Sequence, residues 1–217
     1  MAKTGIQKLL AEQGNKAAAS VAEILIKEPI NITEIIKNLD SEKAKIKYGS
    51  SKVLFLLSEE KPELLYKYFD SFKNLLQGKN NIHKWTAIDI LMNFSFVDSE
   101  NKIDKKLFKT FCKLIENDSM ITAGHIVANI WKLAVNNIFP ADDIVKKLLY
   151  FKNSNVSSEC NKILAGHIID SFPKIYDMLS ACKKKEVMAF TIRHLKNTRM
   201  GTRKKAILFL KSYSQKS

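Results

Sequence analysis

Apolar residues recur three to four positions apart along most of the chain, in stretches separated by polar connectors such as QGKNN, ENDS and KNSN. That period puts them on one face of an α-helix. The stretches pair up. Residues 32–39 precede 47–57, 64–76 precede 83–94, 105–115 precede 122–134, 143–151 precede 158–169, and 186–195 precede 203–213. The last apolar anchors of the first members, Leu39, Leu76, Leu114, Leu149 and Leu195, lie 37, 38, 35 and 46 residues apart. The second members share an i, i+4, i+7 triad: Gly49/Val53/Leu56, Ala87/Leu91/Phe94, Ile126/Ile130/Leu133, Cys160/Leu164/His167 and Ala206/Leu210/Tyr213. Each triad occupies one helical face, and that face is the expected core.

A step near 40 residues with two helices per unit marks an α-solenoid. The expected fold is all-α, with about five helix pairs over 31–213. Residues 1–30 predict N-terminal capping helices, which a stack needs because each unit covers only its neighbours. Residues 214–217 are a short tail. The long step contains Pro173, which predicts a helix end near Phe172 and an extra short helix over 174–181. No Ser/Gly/Pro-rich linker interrupts the chain, so 1–217 reads as a single domain. Seven Gly and four Pro are too few for the frequent turns of a β-sandwich or barrel. A non-repeating helical bundle is the alternative.

In these pairs the chain resembles the HEAT/armadillo-like repeat superfamily over about 32–213. HEAT units usually carry an Asp and an Arg at fixed places; the matches here, such as Asp40 and Arg203, are scattered and leave the subfamily open. The resemblance implies that the second helices line a concave face. Opposite the triads, helical geometry then selects Lys47, Ser51 and Leu54; Trp85, Asp89 and Met92; Gly124, Ala128 and Trp131; Ser158, Lys162 and Ala165; and Lys204, Leu208 and Lys211. Both tryptophans fall on this face, where they suit a binding hot spot or a base-stacking platform. The plainer alternative is that they fill gaps between adjacent helices.

Charge gives the expected groove a direction. Lys and Arg number 36 against 22 Asp and Glu, a net +14. Residues 174–217 hold twelve of the basic residues and only two acids, so ten of the fourteen excess charges sit there. The segment includes Lys183, Lys184 and Lys185 and all three arginines, Arg193, Arg199 and Arg203. Such clustering favours polyanions: a nucleic acid, anionic lipid or an acidic protein. A solvated, solubilising face is the alternative. No apolar window approaches the roughly 18 residues of a membrane span, and the N-terminus lacks the apolar run of a signal peptide. Cys112, Cys160 and Cys182 are odd in number and widely spaced, which fits reduced thiols in a cytoplasmic protein.

Catalytic and cofactor signatures are sparse. His83, His125, His167 and His194 lie on different expected units without zinc-type spacing. His167, on a triad, reads as a core imidazole. No glycine-rich phosphate loop or nucleophile elbow is present, and no cofactor or metal is expected. Asp142 and Asp143 read as acids at a helix start. One local pattern, Trp85-Thr86-Ala87-Ile88-Asp89, resembles the Trp and Asp placed four residues apart on a concave helix of the HEAT-like alkylpurine DNA glycosylases. That resemblance implies Asp89 as the charge-stabilising catalytic residue. Those enzymes also use a concave Arg in the following unit, and 122–134 has none. The reading favoured is a non-enzymatic repeat scaffold that binds an acidic macromolecular partner, with a nucleic-acid binder as the alternative.

Overall fold

The helices begin where side chains can cap them. Asn80, Asp104, Ser119, Ser157 and Ser180 each accept a hydrogen bond from a backbone N–H of the turn that follows. Each satisfies a donor that the first turn leaves without a helical partner. The computed structural model describes residues 2–213, with side chains described for residues 5–29 and 31–213. The expected tail 214–217 lies outside the described residues. Among the described residues the chain is all helical, with short 3-10 turns and no strand. It divides into two compact units, one up to Lys102 and one from Ile103 onward.

The first unit contains α1 (Ala2–Gln13), α2 (Ala18–Lys27), α3 (Ile32–Lys37), α4 (Ala44–Glu60), α5 (Pro62–Tyr66), α6 (Phe69–Leu75) and α7 (Asn81–Asn93). Helix α4 is its centre and packs against α1, α2, α3 and α7, while α6 packs on α7. Gly49 is required there: a Cβ would come 2.9 Å from Leu10 Cδ2 and 3.2 Å from the Gly14 backbone. Tyr66, Phe69, Phe72 and Phe94 form a buried aromatic cluster with centroids 5.6–5.9 Å apart. The expected helix 64–76 is interrupted between α5 and α6 by a turn closed by Tyr68 N–H to Leu65 O at 2.9 Å.

The second unit contains α8 (Lys105–Asn117), α9 (Met120–Asn129), α10 (Lys132–Val135), α11 (Ala141–Leu149), α12 (Ser158–Ser171), α13 (Ala181–Arg193) and α14 (Met200–Tyr213). Helices α9, α12 and α14 pack in a row, α8 lies on α9, and α13 lies on both α11 and α14. Gly166 marks the closest approach, since a Cβ would meet Thr202 Oγ1 at 2.6 Å and its Cα at 3.3 Å. Pro173 does end α12 near Phe172, as the sequence predicts. The extra helix over 174–181 does not form. Two 3-10 turns, Phe172–Lys174 and Tyr176–Met178, take its place, because Ile175 leaves the helical region (φ −132°, ψ 0°) and Ser180 is extended to cap α13.

Several hydrogen bonds share a sequence separation of 35–38 residues, while others span 32, 40 and 44. Thr33–Tyr68 (2.9 Å), Ser51–Thr86 (2.6 Å) and Ser58–Asn93 (2.8 Å) each join side chains 35 residues apart. In the second unit Asn153 Nδ2 donates to Ile115 O (2.7 Å) and Asp118 O (2.9 Å), 38 and 35 residues away. Ser180 N–H donates to Asp142 Oδ1 (3.0 Å), again 38 residues away.

The expected core triads of the two middle pairs, Ala87/Leu91/Phe94 and Ile126/Ile130/Leu133, are fully buried. At the flanking pairs Leu56, Cys160, His167, Leu210 and Tyr213 are only half-buried. His167 is thus not the enclosed core imidazole its triad position predicts. The expected groove face needs a larger correction. Leu54 and Met92 are 0% exposed and Ala165 is 2% exposed. The C-terminal half of α7 explains why: Ile88, Ile90, Leu91, Met92 and Asn93 are all buried, and only Asp89 is half-buried. Buried neighbours on both sides of Met92 leave it facing the core. The outward face therefore ends after the first two turns, and Met92 cannot line a groove.

Candidate polyanion-binding surface

In the second unit Lys152, Lys162 and Arg193 come together where two interhelical loops meet. The loop after α11 carries Lys152 and is held by Asn153. The Asn153 side chain is buried, accepts from Asn155 N–H at 2.9 Å and ties the loop to the two carbonyls named above. Asn161 of α12 adds Nδ2–H to Asn153 O at 2.9 Å. The loop after α13 repeats the device. Asn197 is buried, accepts from Arg199 N–H at 2.8 Å and donates to Lys162 O at 3.4 Å. Short polar side chains that bond their own backbone two residues on define such turns.

Between these loops lies an open cavity of about 720 Å³, lined by Lys152, Lys162, Arg193 and His194 with Asn161, Ser158, Phe190 and Ala165. The N-terminus of α12 also opens here and adds its positive end. Glu159 is the acid of this rim. It accepts from Lys162 Nζ (2.5 Å) and Arg199 Nε (2.7 Å), and Lys162 first, then Arg199, holds its carboxyl below the usual range. Arg203 Nη1 donates to Asn197 O at 3.3 Å, so its guanidinium stands beside the same loop. Burial, and then the adjacent Arg193 charge, push the His194 imidazole below its ordinary pKa. Asn197 Nδ2 lies 3.0 Å from His194 Nδ1, and donation along that contact suits the neutral ring.

The other sequence-derived residues are dispersed. Lys183, Lys184 and Lys185 stand at the N-terminal end of α13 and Arg193 at its C-terminal end. At 1.5 Å per residue their Cα atoms are about 12–15 Å apart, so the expected basic patch is two patches. Lys183 is bound to Glu186 at 2.6 Å, which raises the Lys183 pKa and lowers that of Glu186. Lys184 Nζ stands over the Tyr176 ring at 5.6 Å. Lys204, Leu208 and Lys211 are exposed on α14, seven residues end to end and on one face.

Lys47 on α4 and Trp85 and Asp89 on α7 are half-buried in the first unit. Trp131 follows α9 in the second unit, where its expected helix breaks before α10. Its indole N–H donates to Ala128 O (2.9 Å), and the ammonium groups of Lys132 and Lys174 lie 5.8 and 5.6 Å from its ring. Trp131 thus joins the basic segment through Lys174, a link the spacing does not reveal. Lys152, His194 and the two asparagines escape sequence reasoning too; the signal for them is the polar KNSN and LKNT loops themselves.

Among the described residues no group of three or more His, Cys, Asp or Glu could hold a metal ion, and no helix is long and apolar enough to cross a membrane. Compared with protein-family models, with curated proteins and with solved structures, the chain matches none.

Proposed function

We propose that this chain is a non-catalytic HEAT-like repeat scaffold, located in the cytoplasm, whose second unit binds an acidic macromolecular partner. Lys152, Lys162 and Arg193 line one open, loop-lined cavity that no acid lines, with Arg199 and Arg203 at the adjoining Asn197 loop, and this carries the reading. The HEAT-like part is supported by the side-chain bonds at separations of 35–38 residues and by the row of second helices α9, α12 and α14. The cytoplasmic part is supported by the thiols Cys112, Cys160 and Cys182, all unpaired. Rigid loops matter because a preordered cation loses less freedom on binding.

A nucleic acid is the second reading. One observation favours it: all three arginines of the protein gather at this end, and a guanidinium grips phosphate by two hydrogen bonds where an ammonium offers a point charge. The glycosylase-like variant of that reading rests on Trp85 and Asp89 alone. It requires that the protein release free alkylated base and that Asp89→Ala abolish the release.

Fluorescence anisotropy with labelled polyglutamate, duplex DNA and single-stranded RNA at about 50 and 200 mM salt separates the readings. Polyglutamate binding that is lost in Lys152→Glu/Arg193→Glu supports the scaffold. Tighter nucleic-acid binding with a steep salt slope moves the protein to the second reading. No binding to any probe at low salt ends both.

A further inference from the structure

A different face of the second unit carries a docking groove. Helix α11 packs along α13, while its contact with α8 is slighter. The space between α8 and α11 is an open groove of about 480 Å³. Its floor is apolar. Phe108 of α8 stacks on Phe139, just before α11, with centroids 4.5 Å apart and planes 26° apart, and both rings are half-exposed. The Cys112 thiol, one turn along α8, extends the floor and is 8% exposed.

The rim is cationic on both sides. Lys105, Lys109 and Lys113 form an i, i+4, i+8 row on α8, and Lys146 and Lys147 face them from α11. All five are exposed, and among the described residues none forms an ion pair. Glu116 and Asp143 are the two acids on the rim.

We propose that this groove binds an acidic amphipathic helix of a protein partner, with apolar side chains on the Phe108–Phe139 floor and carboxylates on the two lysine rows. Charge complementarity selects the sign, and the apolar floor selects the class. A phosphodiester backbone brings no apolar atoms to cover the phenyl rings, whereas a helix with apolar residues at 3–4 spacing does. Opposed charges along both edges orient such a helix and speed its encounter. The groove lies apart from the Arg-lined cavity, so it stands or falls independently of the proposed function.

The test is anisotropy of a labelled peptide with Phe and Leu at helical spacing and Glu elsewhere, titrated with the full chain. In the Lys152→Glu/Arg193→Glu chain, whose other cavity no longer competes for an acidic peptide, binding is expected and is weakened about tenfold or more by adding Lys109→Glu/Lys146→Glu. The reversed lysines are exposed, so an unaltered thermal transition certifies their fold. A control peptide with Ser at the apolar positions is expected to bind far more weakly. Three results overturn the proposal: no binding, equal binding by the Ser control, or displacement of the peptide by phosphatidylserine vesicles through the same lysines, which makes the groove a lipid surface.

Discussion

The two units are built alike but charged differently. Residues 1–102 carry fifteen Lys against thirteen acids, a net +2, whereas residues 103–217 carry twenty-one Lys and Arg against nine acids, a net +12. Their hydrogen bonds at the repeat separation differ as well. In the first unit they join side chains, at Thr33–Tyr68, Ser51–Thr86 and Ser58–Asn93. In the second, asparagines bond to the backbone of the helix pair before them, at Asn153, Asn155 and Asn197, beside the side-chain pairs Lys162–Thr198 and Tyr150–Glu186. The first arrangement fastens helices to each other. The second fastens loops, and those loops carry Lys152 and Arg199.

The sharpest way to break the comparison is at the close helix approaches. Gly166→Val is expected to cost the second unit about 1–3 kcal/mol or more, because Thr202 Oγ1, bonded to Lys162 O at 2.9 Å, has no room to retreat. Gly49→Val should do the same in the first unit. Hydrogen exchange read unit by unit decides whether each loss stays local. If both variants unfold the whole chain together, the division into units is not an energetic one.

Loop fastening comes next. Asn153→Ala leaves the Ile115 and Asp118 carbonyls without their buried donor, at a cost of about 1–3 kcal/mol. It should also weaken polyanion binding although Asn153 carries no charge. Unchanged affinity in a folded Asn153→Ala protein would show that loop rigidity is irrelevant to the site.

Charge reversal sharpens the contrast directly. Lys152→Glu/Arg193→Glu should lower polyanion affinity about tenfold and flatten its salt dependence. Lys67→Glu/Lys79→Glu, exposed sites in the first unit, should change it little. Equal losses from both pairs would mean that net charge, not the cavity, attracts the partner.

The smallest expected effect is that of pH. His167 is held below its ordinary pKa by burial and then by Lys205, His194 by burial and then by Arg193. Between the folded and unfolded values the unfolded chain binds more protons. The stability these rings contribute is therefore full above about pH 6.5 and is lost as pH falls through the folded values. Urea unfolding at pH 7.5 and 5.5 should show this slope, and His194→Gln should reduce it. Polyanion binding should tighten over the same interval, because a bound anion favours the His194 cation.

The helices were legible because apolar periodicity reports burial directly, whereas the caps at Asn80, Asp104, Ser119, Ser157 and Ser180 were not read from the sequence. The triads Ala87/Leu91/Phe94 and Ile126/Ile130/Leu133 are fully buried, while Leu56, Cys160, His167, Leu210 and Tyr213 are half-buried. Helical-wheel arithmetic failed at Leu54 and Met92, which neighbouring helices cover, whereas Ser158, Lys162 and Ala165 all line the cavity. The run of basic residues was legible as a count but not as a surface: α13 carries Lys183 and Arg193 to opposite ends.

From the sequence alone come the all-helical class and the sign of the charge, because each depends on local spacing or on composition. Only the tertiary structure brings Lys152 to Arg193 across 41 residues, holds both loops on buried asparagines, and opens the lysine-edged groove between α8 and α11. Those arrangements depend on which helices touch and which stand apart, and no periodicity within a single helix carries that information.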